Sequence, residues 1–346
     1  MDAGCYTAII TPFTNSATAV DYASLEKLVD FQIANGITGI LAAGTTGESP
    51  TLAWVEHHKV TQAIAEQTRG KCLCIAGTGS NNTKESLAAT EHAVGAGADA
   101  VLLVDPYYNG PSSLEIRKEY VAPVARQFPD TTIIPYVIPG RTGAQIFPED
   151  LALLFKEFGN VNTVKEATGN LDNMKRTREC CGPDYVILSG DDGITYDMMI
   201  DDKIAAAGAI SVITNVVPKA VADMVQLLLE GNAIEAKKLK DALDPLFGLV
   251  TVTTKETTPY GDVVCRARNP LAVKTLMTIL GMPSGGCRQP LGKMSASGLN
   301  KVLDIARTVQ ERSPEILAPT AAFFNVDIEK RLDNAAKIEG LCYDAY

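Results

Sequence analysis

The chain has 346 residues, 46% hydrophobic and 21% charged, with a formal net charge of −10. That is the composition of an ordinary soluble globular protein, and the acidic balance without a basic stripe argues against a nucleic-acid-binding surface. Met1-Asp2-Ala3-Gly4-Cys5 lacks the basic start and apolar core of a signal peptide, and no apolar run approaches the roughly 20 residues that span a bilayer, so a cytoplasmic protein with no membrane partner is expected. Of the eight cysteines only Cys72/Cys74 and Cys180/Cys181 are close pairs. Neither has a zinc or redox spacing, so reduced structural thiols are expected.

From Tyr6 to Val217 a short β-branched apolar run, a Gly/Pro/Asn/Ser break and a longer helical stretch recur. The strand-like runs are Tyr6–Pro12, Gly39–Ala43, Leu73–Gly77, Ala100–Val104, Thr132–Ile138, Val161–Ala167, Tyr185–Ser189 and Ile210–Thr214. Helical patterns between them include Tyr22–Asn35, Leu52–Thr68, Lys84–Ala96, Leu114–Phe128 and Pro148–Phe158. Apolar runs that do not alternate indicate parallel strands covered on both faces. Eight such units in about 215 residues predict an α/β fold, a (β/α)8 TIM barrel. A doubly wound sheet is the alternative, but no G-x-G-x-x-G follows the first strand.

Pro218–Glu230 reads as the eighth barrel helix. Beyond Val217 the strand signal ends, and Ala233–Leu249, Val263–Leu280 and Lys293–Arg312 have helical composition, with Asn269-Pro270 kinking or starting a helix. The expected division is a barrel over residues 1–230, a C-terminal helical region over 231–312, and a tail over 313–346 carrying an amphipathic Ile328–Ile338. Composition leaves open whether that tail docks.

A barrel of this kind carries its active site at the carboxyl ends of the strands. Gly44-Thr45-Thr46-Gly47-Glu48-Ser49 follows the second strand, where glycines allow a tight turn and hydroxyls and amides can hold a carboxylate. Pro106-Tyr107-Tyr108-Asn109 follows the fourth. The fifth carries Tyr136 and is followed by Pro139-Gly140-Arg141-Thr142-Gly143, the seventh ends in Ser189-Gly190-Asp191-Asp192, and the eighth contains Ile210-Ser211. The sixth carries Lys165. Alone, Lys165 reads as a strand-end lysine reaching solvent or pairing with Glu166. In a buried place, however, loss of water pushes a lysine toward the neutral amine, a nucleophile able to form a Schiff base. Hydroxyls, a tyrosine, an arginine and a lysine at one end of successive strands favour the chemical reading.

These motifs, with Ala76-Gly77-Thr78-Gly79, Val164-Lys165-Glu166-Ala167-Thr168-Gly169-Asn170 and Gly208-Ala209-Ile210-Ser211-Val212, occur in the order found in one family. Over roughly its first 290 residues the chain resembles the dihydrodipicolinate synthase / N-acetylneuraminate lyase family of pyruvate-dependent class I aldolases. The resemblance implies that Lys165 forms the imine with pyruvate and that Thr45 and Thr46 hold its carboxylate. Tyr136 would move protons through a relay with Thr46 and Tyr108. Gly190 and Ile210 would line the site with backbone groups, and Arg141 would bind the carboxylate of the second substrate with its planar fork. It further implies a homotetramer, a dimer of dimers with Tyr108 reaching into a neighbour's site, and no metal or bound cofactor. Thr-Thr after the second strand is similar to the synthase branch, which condenses pyruvate with L-aspartate 4-semialdehyde on the route to lysine and diaminopimelate; the lyase branch typically has Ser-Thr. The alternatives are a family aldolase acting on N-acetylneuraminate, a 2-keto-3-deoxy sugar acid or 4-hydroxy-2-oxoglutarate, and a barrel without catalysis that binds or regulates.

Ser49, Pro50, Trp54, His57, Asn81, Glu85 and Tyr107 resemble the family's feedback site for L-lysine. Glu85 would receive the effector's amine, Asn81 and Tyr107 its carboxylate, and Trp54 and His57 would form a wall. The chain departs from the family's pattern at Val137, where asparagine is common, and at Gly110, where arginine is common. Both departures bear on substrate preference. Beyond about Arg312 the tail has no counterpart in the family.

Overall fold

Eight apolar runs become eight parallel strands: β1 Gly4–Ala8, β2 Gly39–Ala42, β3 Leu73–Gly77, β4 Ala100–Val104, β5 Thr132–Val137, β6 Thr163–Glu166, β7 Val186–Ser189 and β8 Gly208–Ser211. In this computed structural model, which describes residues 1–14, 17–334 and 338–346, they pair in chain order and β8 pairs back onto β1, closing the barrel. The strands are mostly apolar because each is covered on both faces, and β6 stands apart in burying Lys165 and Glu166. Side chains such as Tyr6, Leu41, Leu102 and Leu188 fill the barrel interior, while Ile40, Val101, Ile133 and Val164 meet the surrounding helices. The closing seam requires a residue without a side chain. Gly208 has φ 144°, and a Cβ there would fall 1.9 Å from the Gly4 carbonyl oxygen.

The expected helices form, with ends set by local capping. The helix Thr83–Ala96 begins one residue before the expected start because Asn82 Oδ1 accepts from Lys84 N at 3.1 Å. The helix over 113–127 contains a π turn at Ile116–Val121. Asn170 caps Leu171–Cys181 by accepting from Asp172 N and Asn173 N. Pro218–Leu229 is the helix that follows β8.

The C-terminal region corrects the expectation that strands end at Val217. The helices Ala233–Phe247, Leu271–Leu280 and Ala296–Arg312 are present. Between the first two stands an antiparallel hairpin, β9 Thr251–Thr258 and β10 Gly261–Arg268. The helix expected over Val263–Leu280 therefore begins only at Leu271. The signal overlooked is period two: Val252 and Thr254 are buried while Thr251, Thr253 and Lys255 are exposed. Pro259 suits the first turn position, and Gly261 at φ 114° supplies the positive dihedral at the exit.

The tail docks. Phe323 and Phe324 meet Phe31 with ring centroids 5.1 and 5.0 Å apart, Ile328 and Leu332 are buried, and Met294 bridges to Cys342. The described helix Ile328–Leu332 covers the start of the amphipathic run Ile328–Ile338; residues 335–337 of that run lie outside the described residues. One core cluster joins Ile9 and Leu25 of the barrel to Leu276, Leu303 and Phe324 of the C-terminal helices. Among the described residues no helix is long and apolar enough to cross a membrane.

Candidate active site

At the carboxyl ends of the strands lies a cavity of about 410 Å³ whose wall includes Thr45, Thr46, Tyr136, Arg141, Lys165 and Gly190. Strand register produces this convergence. Tyr136 on β5 pairs with Lys165 on β6, so both side chains point to the same side of the sheet. The Lys165 amine sits 4.3 Å from the centre of the Tyr136 ring, and the lysine is only 3% exposed.

Burial pushes the Lys165 amine down to about 7; the nearby Asp192 carboxylate pulls it back up, and the Arg141 guanidinium pushes it further down. Asp192 itself is raised to about 6 by burial, although Ser211 Oγ and the backbone amides of Val212 and Ile213 donate to it. The Tyr136 phenol is raised to about 12 by burial, with Arg141 and a hydrogen bond to Thr45 acting in the opposite direction. Near neutral pH the cavity thus holds a protonated phenol beside an amine that gives up its proton far more readily than an ordinary lysine.

Not every expected residue is on that wall. Ile210 is buried in the barrel interior with Tyr136 and Leu188 rather than on the cavity surface. Tyr136 bonds Thr45, whereas Thr46 Oγ1 accepts from Asn269 Nδ2 at 2.9 Å. Tyr108 stands outside the cavity, 85% exposed at the tip of its loop. Ser49, Pro50 and Tyr107 line a neighbouring cavity of about 230 Å³, which shares Thr45, Tyr136 and Arg141 with the first. Close to it, Asn81 Oδ1 accepts from Tyr107 N at 2.7 Å, Ser80 Oγ donates to Glu85 at 2.5 Å, and Trp54 meets His57 edge-on at 5.1 Å. His57 lies within 2.9 Å of the Gly77 carbonyl through Nε2, which leaves its buried Nδ1 without a partner. Burial pushes that ring down to about 4, so it is neutral at physiological pH.

Asp192 and Asn269 join the site without having been placed there by sequence reading. Asp192 ends a recognised motif, but only three-dimensional proximity to Lys165 makes it a counter-charge. In the sequence Asn269-Pro270 signals only a kink or a helix start, and no local pattern points Asn269 223 residues back to Thr46. Among the described residues no group of three His, Cys, Asp or Glu side chains converges to hold a metal ion.

The model of the dihydrodipicolinate synthetase family matches residues 1–309. The chain belongs to that family. A Methanococcus vannielii relative named 4-hydroxy-tetrahydrodipicolinate synthase is 38% identical over 306 residues, covering 88% of this chain and 98% of that one. Two solved structures, each 31% identical with a TM-score of 0.80 and covering 89% of this chain, with 98% and 99% of their own lengths matched in turn, are similar as well. They are the dihydrodipicolinate synthase of Cyanidioschyzon merolae with lysine bound and that of Acinetobacter baumannii, chloride-inhibited and complexed with pyruvate.

Family membership makes the space above Lys165 testable. A Cβ on Gly190 would lie 2.9 Å from Ala167 Cβ and 3.0 Å from Lys165 Cε, so the lysine would have to move. Gly190→Ala is expected to lower turnover roughly 100-fold, the scale of an ångström-sized misplacement, with little change in the unfolding midpoint. Steady-state kinetics beside a thermal melt checks this.

Proposed function

We propose that the chain is a 4-hydroxy-tetrahydrodipicolinate synthase, condensing pyruvate with L-aspartate 4-semialdehyde through an imine at Lys165. The observation that carries the reading is a buried lysine amine, held near neutrality, beside a protonated tyrosine in a cavity with two threonine hydroxyls and an arginine. The amine attacks the keto carbon, Tyr136 supplies the proton on which the carbonyl oxygen leaves as water, and a protonated imine remains. That cation draws electrons from the methyl carbon, which loses a proton and becomes an enamine. The enamine carbon attacks the aldehyde carbonyl, whose oxygen takes up a proton. The amino group of the second substrate then adds to the imine carbon, closes the ring and expels Lys165 as the free amine.

Thr45 and Thr46 are suited to the pyruvate carboxylate, with Asn269 setting the Thr46 hydroxyl. Arg141, on the same wall, is suited to the carboxylate of the aldehyde. The backbone of Gly190, on the same wall as Lys165, completes the surroundings of the imine. The exposed Tyr108 is suited to a neighbouring subunit's site, as a relay partner in a homo-oligomer.

A second reading concerns regulation. The smaller cavity with Ser49, Pro50 and Tyr107, near Trp54, Asn81 and Glu85, offers what an amino acid with a side-chain amine needs. Glu85 is a carboxylate acceptor, and neutral His57 keeps a buried Nδ1 lone pair unused. L-Lysine is the proposed effector; calorimetric titration with L-lysine against His57→Ala checks it.

The deciding experiment is borohydride reduction in the presence of pyruvate, followed by peptide mapping, beside assays of condensation with aspartate semialdehyde and of sugar-acid cleavage. Mass is expected at Lys165, and activity with the semialdehyde. Cleavage of a sugar acid without condensation would favour another family aldolase, and no trapping would favour a barrel without catalysis. The trapping rate is also expected to depend on pH. A lysine at its ordinary value of about 10.4 gains free amine only in strong alkali, but here the free amine grows as pH rises through about 7. The rate should climb between pH 6 and 8 and level off above; a rate still climbing tenfold per unit at pH 9 would contradict the assignment.

A further inference from the structure

The mouth of the cavity is built partly by the β9–β10 hairpin. Its two faces are unlike. On one, Val252 and Thr254 are buried toward the helix Ala296–Arg312, with Thr254 and Glu256 bonded to Ser295 and Ser297 and Lys301 Nζ donating to the Thr253 carbonyl at 2.6 Å. Opposed residues of an antiparallel pair share a face. The pairs Arg266 with Thr253 and Arg268 with Thr251 therefore lie together on the other face, and all four line the cavity that contains Lys165 and Arg141.

The two hairpin arginines differ in what they already do. Arg268 donates from Nη1 to the Gly140 carbonyl at 2.9 Å and so braces the turn that carries Arg141. The Arg266 side chain is exposed, and its guanidinium has neither a hydrogen bond nor an ion pair among the described residues. Asp191, a carboxylate on the same wall, is engaged through Oδ1 with the Gly193 amide at 3.0 Å. An uncommitted guanidinium at the rim of a cavity, above a second guanidinium deeper in it, is an arrangement that draws in and orients an anion.

We propose that Arg266 is a specificity-determining residue that receives the carboxylate of the aldehyde substrate at the mouth and passes it to Arg141, selecting small aldehydes that carry a carboxylate over neutral ones. The inference rests on the condensation reading above. It separates two roles that one arginine cannot fill alone: Arg141 holds the bound carboxylate, and Arg266 governs its capture from solvent.

The test is kinetic. Arg266→Ala is expected to raise KM for aspartate semialdehyde about tenfold, the loss of one partly solvated charge-assisted contact, and to steepen no salt dependence. The values of kcat, KM for pyruvate and borohydride trapping at Lys165 should stay within twofold of the parent. Arg266→Lys should recover part of the loss because it restores charge without the fork, and Arg266→Glu should exceed the alanine variant and improve with added salt. Condensation with propionaldehyde, which has no carboxylate to capture, should be unchanged by all three. A parent that condenses normally while Arg266→Ala keeps its aldehyde KM overturns the proposal. A parallel fall in kcat and in pyruvate trapping, with no recovery in Arg266→Lys, also overturns it, because it assigns the hairpin a purely structural role. Failure of the parent itself to trap pyruvate would instead remove the condensation reading.

Discussion

Lys165→Ala is expected to abolish condensation, lowering kcat on the order of 10⁴- to 10⁶-fold, the range found when a catalytic nucleophile or the group activating it is deleted, while the barrel stays folded. The large loss follows from where the amine sits. Among the described residues no other lysine is on the cavity wall, and the remaining groups there can hold pyruvate but cannot form an imine with it. The survival of the fold follows from the same position. Lys165 is buried with no ion pair among the described residues, its ammonium form is disfavoured there, and its amine lies 4.3 Å from the centre of the Tyr136 ring. Removing such a group relieves a desolvation cost, so Lys165→Met, which keeps the volume and loses the amine, should melt no lower than the parent. Lys165→Arg should be equally inactive because a guanidinium does not give up its proton. Any of the three variants retaining near-parental turnover would refute the assignment of the nucleophile.

Asp192 adds a gradation. Its carboxylate stabilises the charged amine, so Asp192→Asn should move the pH midpoint of trapping below about 7.

The barrel was legible in the sequence for a physical reason. Strands covered on both faces must be apolar at successive positions, and helices packed around them must be amphipathic, so the alternation of Leu73–Gly77, Thr83–Ala96 and Ala100–Val104 is written locally. The candidate site was legible because a barrel sends residues at the carboxyl ends of its strands to one place. The hairpin was not. Half of each of its strands faces outward and is filled with Thr, Lys and Arg, which carries little hydrophobic signal, and the part nearest Leu271 was absorbed into the helical pattern that follows. With it went Arg266 and Arg268. The position of Tyr108 was equally out of reach, since an exposed tyrosine gains a site only from what lies opposite it. Contacts such as Asn269 with Thr46 join loops more than two hundred residues apart and leave no periodicity behind.

The strongest of these long-range contacts yields the largest expected effect on stability. Glu48 follows the Gly44-Thr45-Thr46-Gly47 turn in a left-handed conformation at φ 58°, and its carboxylate accepts from Lys274 Nζ at 2.7 Å and from Arg288 N at 2.9 Å. Lys274 also donates to the Thr11 carbonyl at 3.0 Å and lies 4.3 Å from the centre of the Phe13 ring. Both side chains are all but inaccessible, at 1% and 0% exposure. Burial pushes the Lys274 amine down while the Glu48 charge pulls it up, and the ammonium meets two oxygen acceptors and the Phe13 ring. Lys274→Met would leave the buried Glu48 carboxylate without its cation, at a cost of about 3–5 kcal/mol. Because Glu48 anchors the turn bearing Thr45 and Thr46, KM for pyruvate should rise along with the loss of stability. Glu48→Gln together with Lys274→Met removes both charges, keeps an acceptor for Arg288 N and supplies a donor for the Thr11 carbonyl. The double variant should regain most of the lost stability, since replacing a whole buried pair is often neutral. Urea midpoints of the parent, both single variants and the double variant measure the coupling. A Lys274→Met protein as stable as the parent would show that the pair does not hold the C-terminal helix to the barrel mouth, and a double variant no better than the singles would show that the loss comes from packing rather than from the unpaired charge.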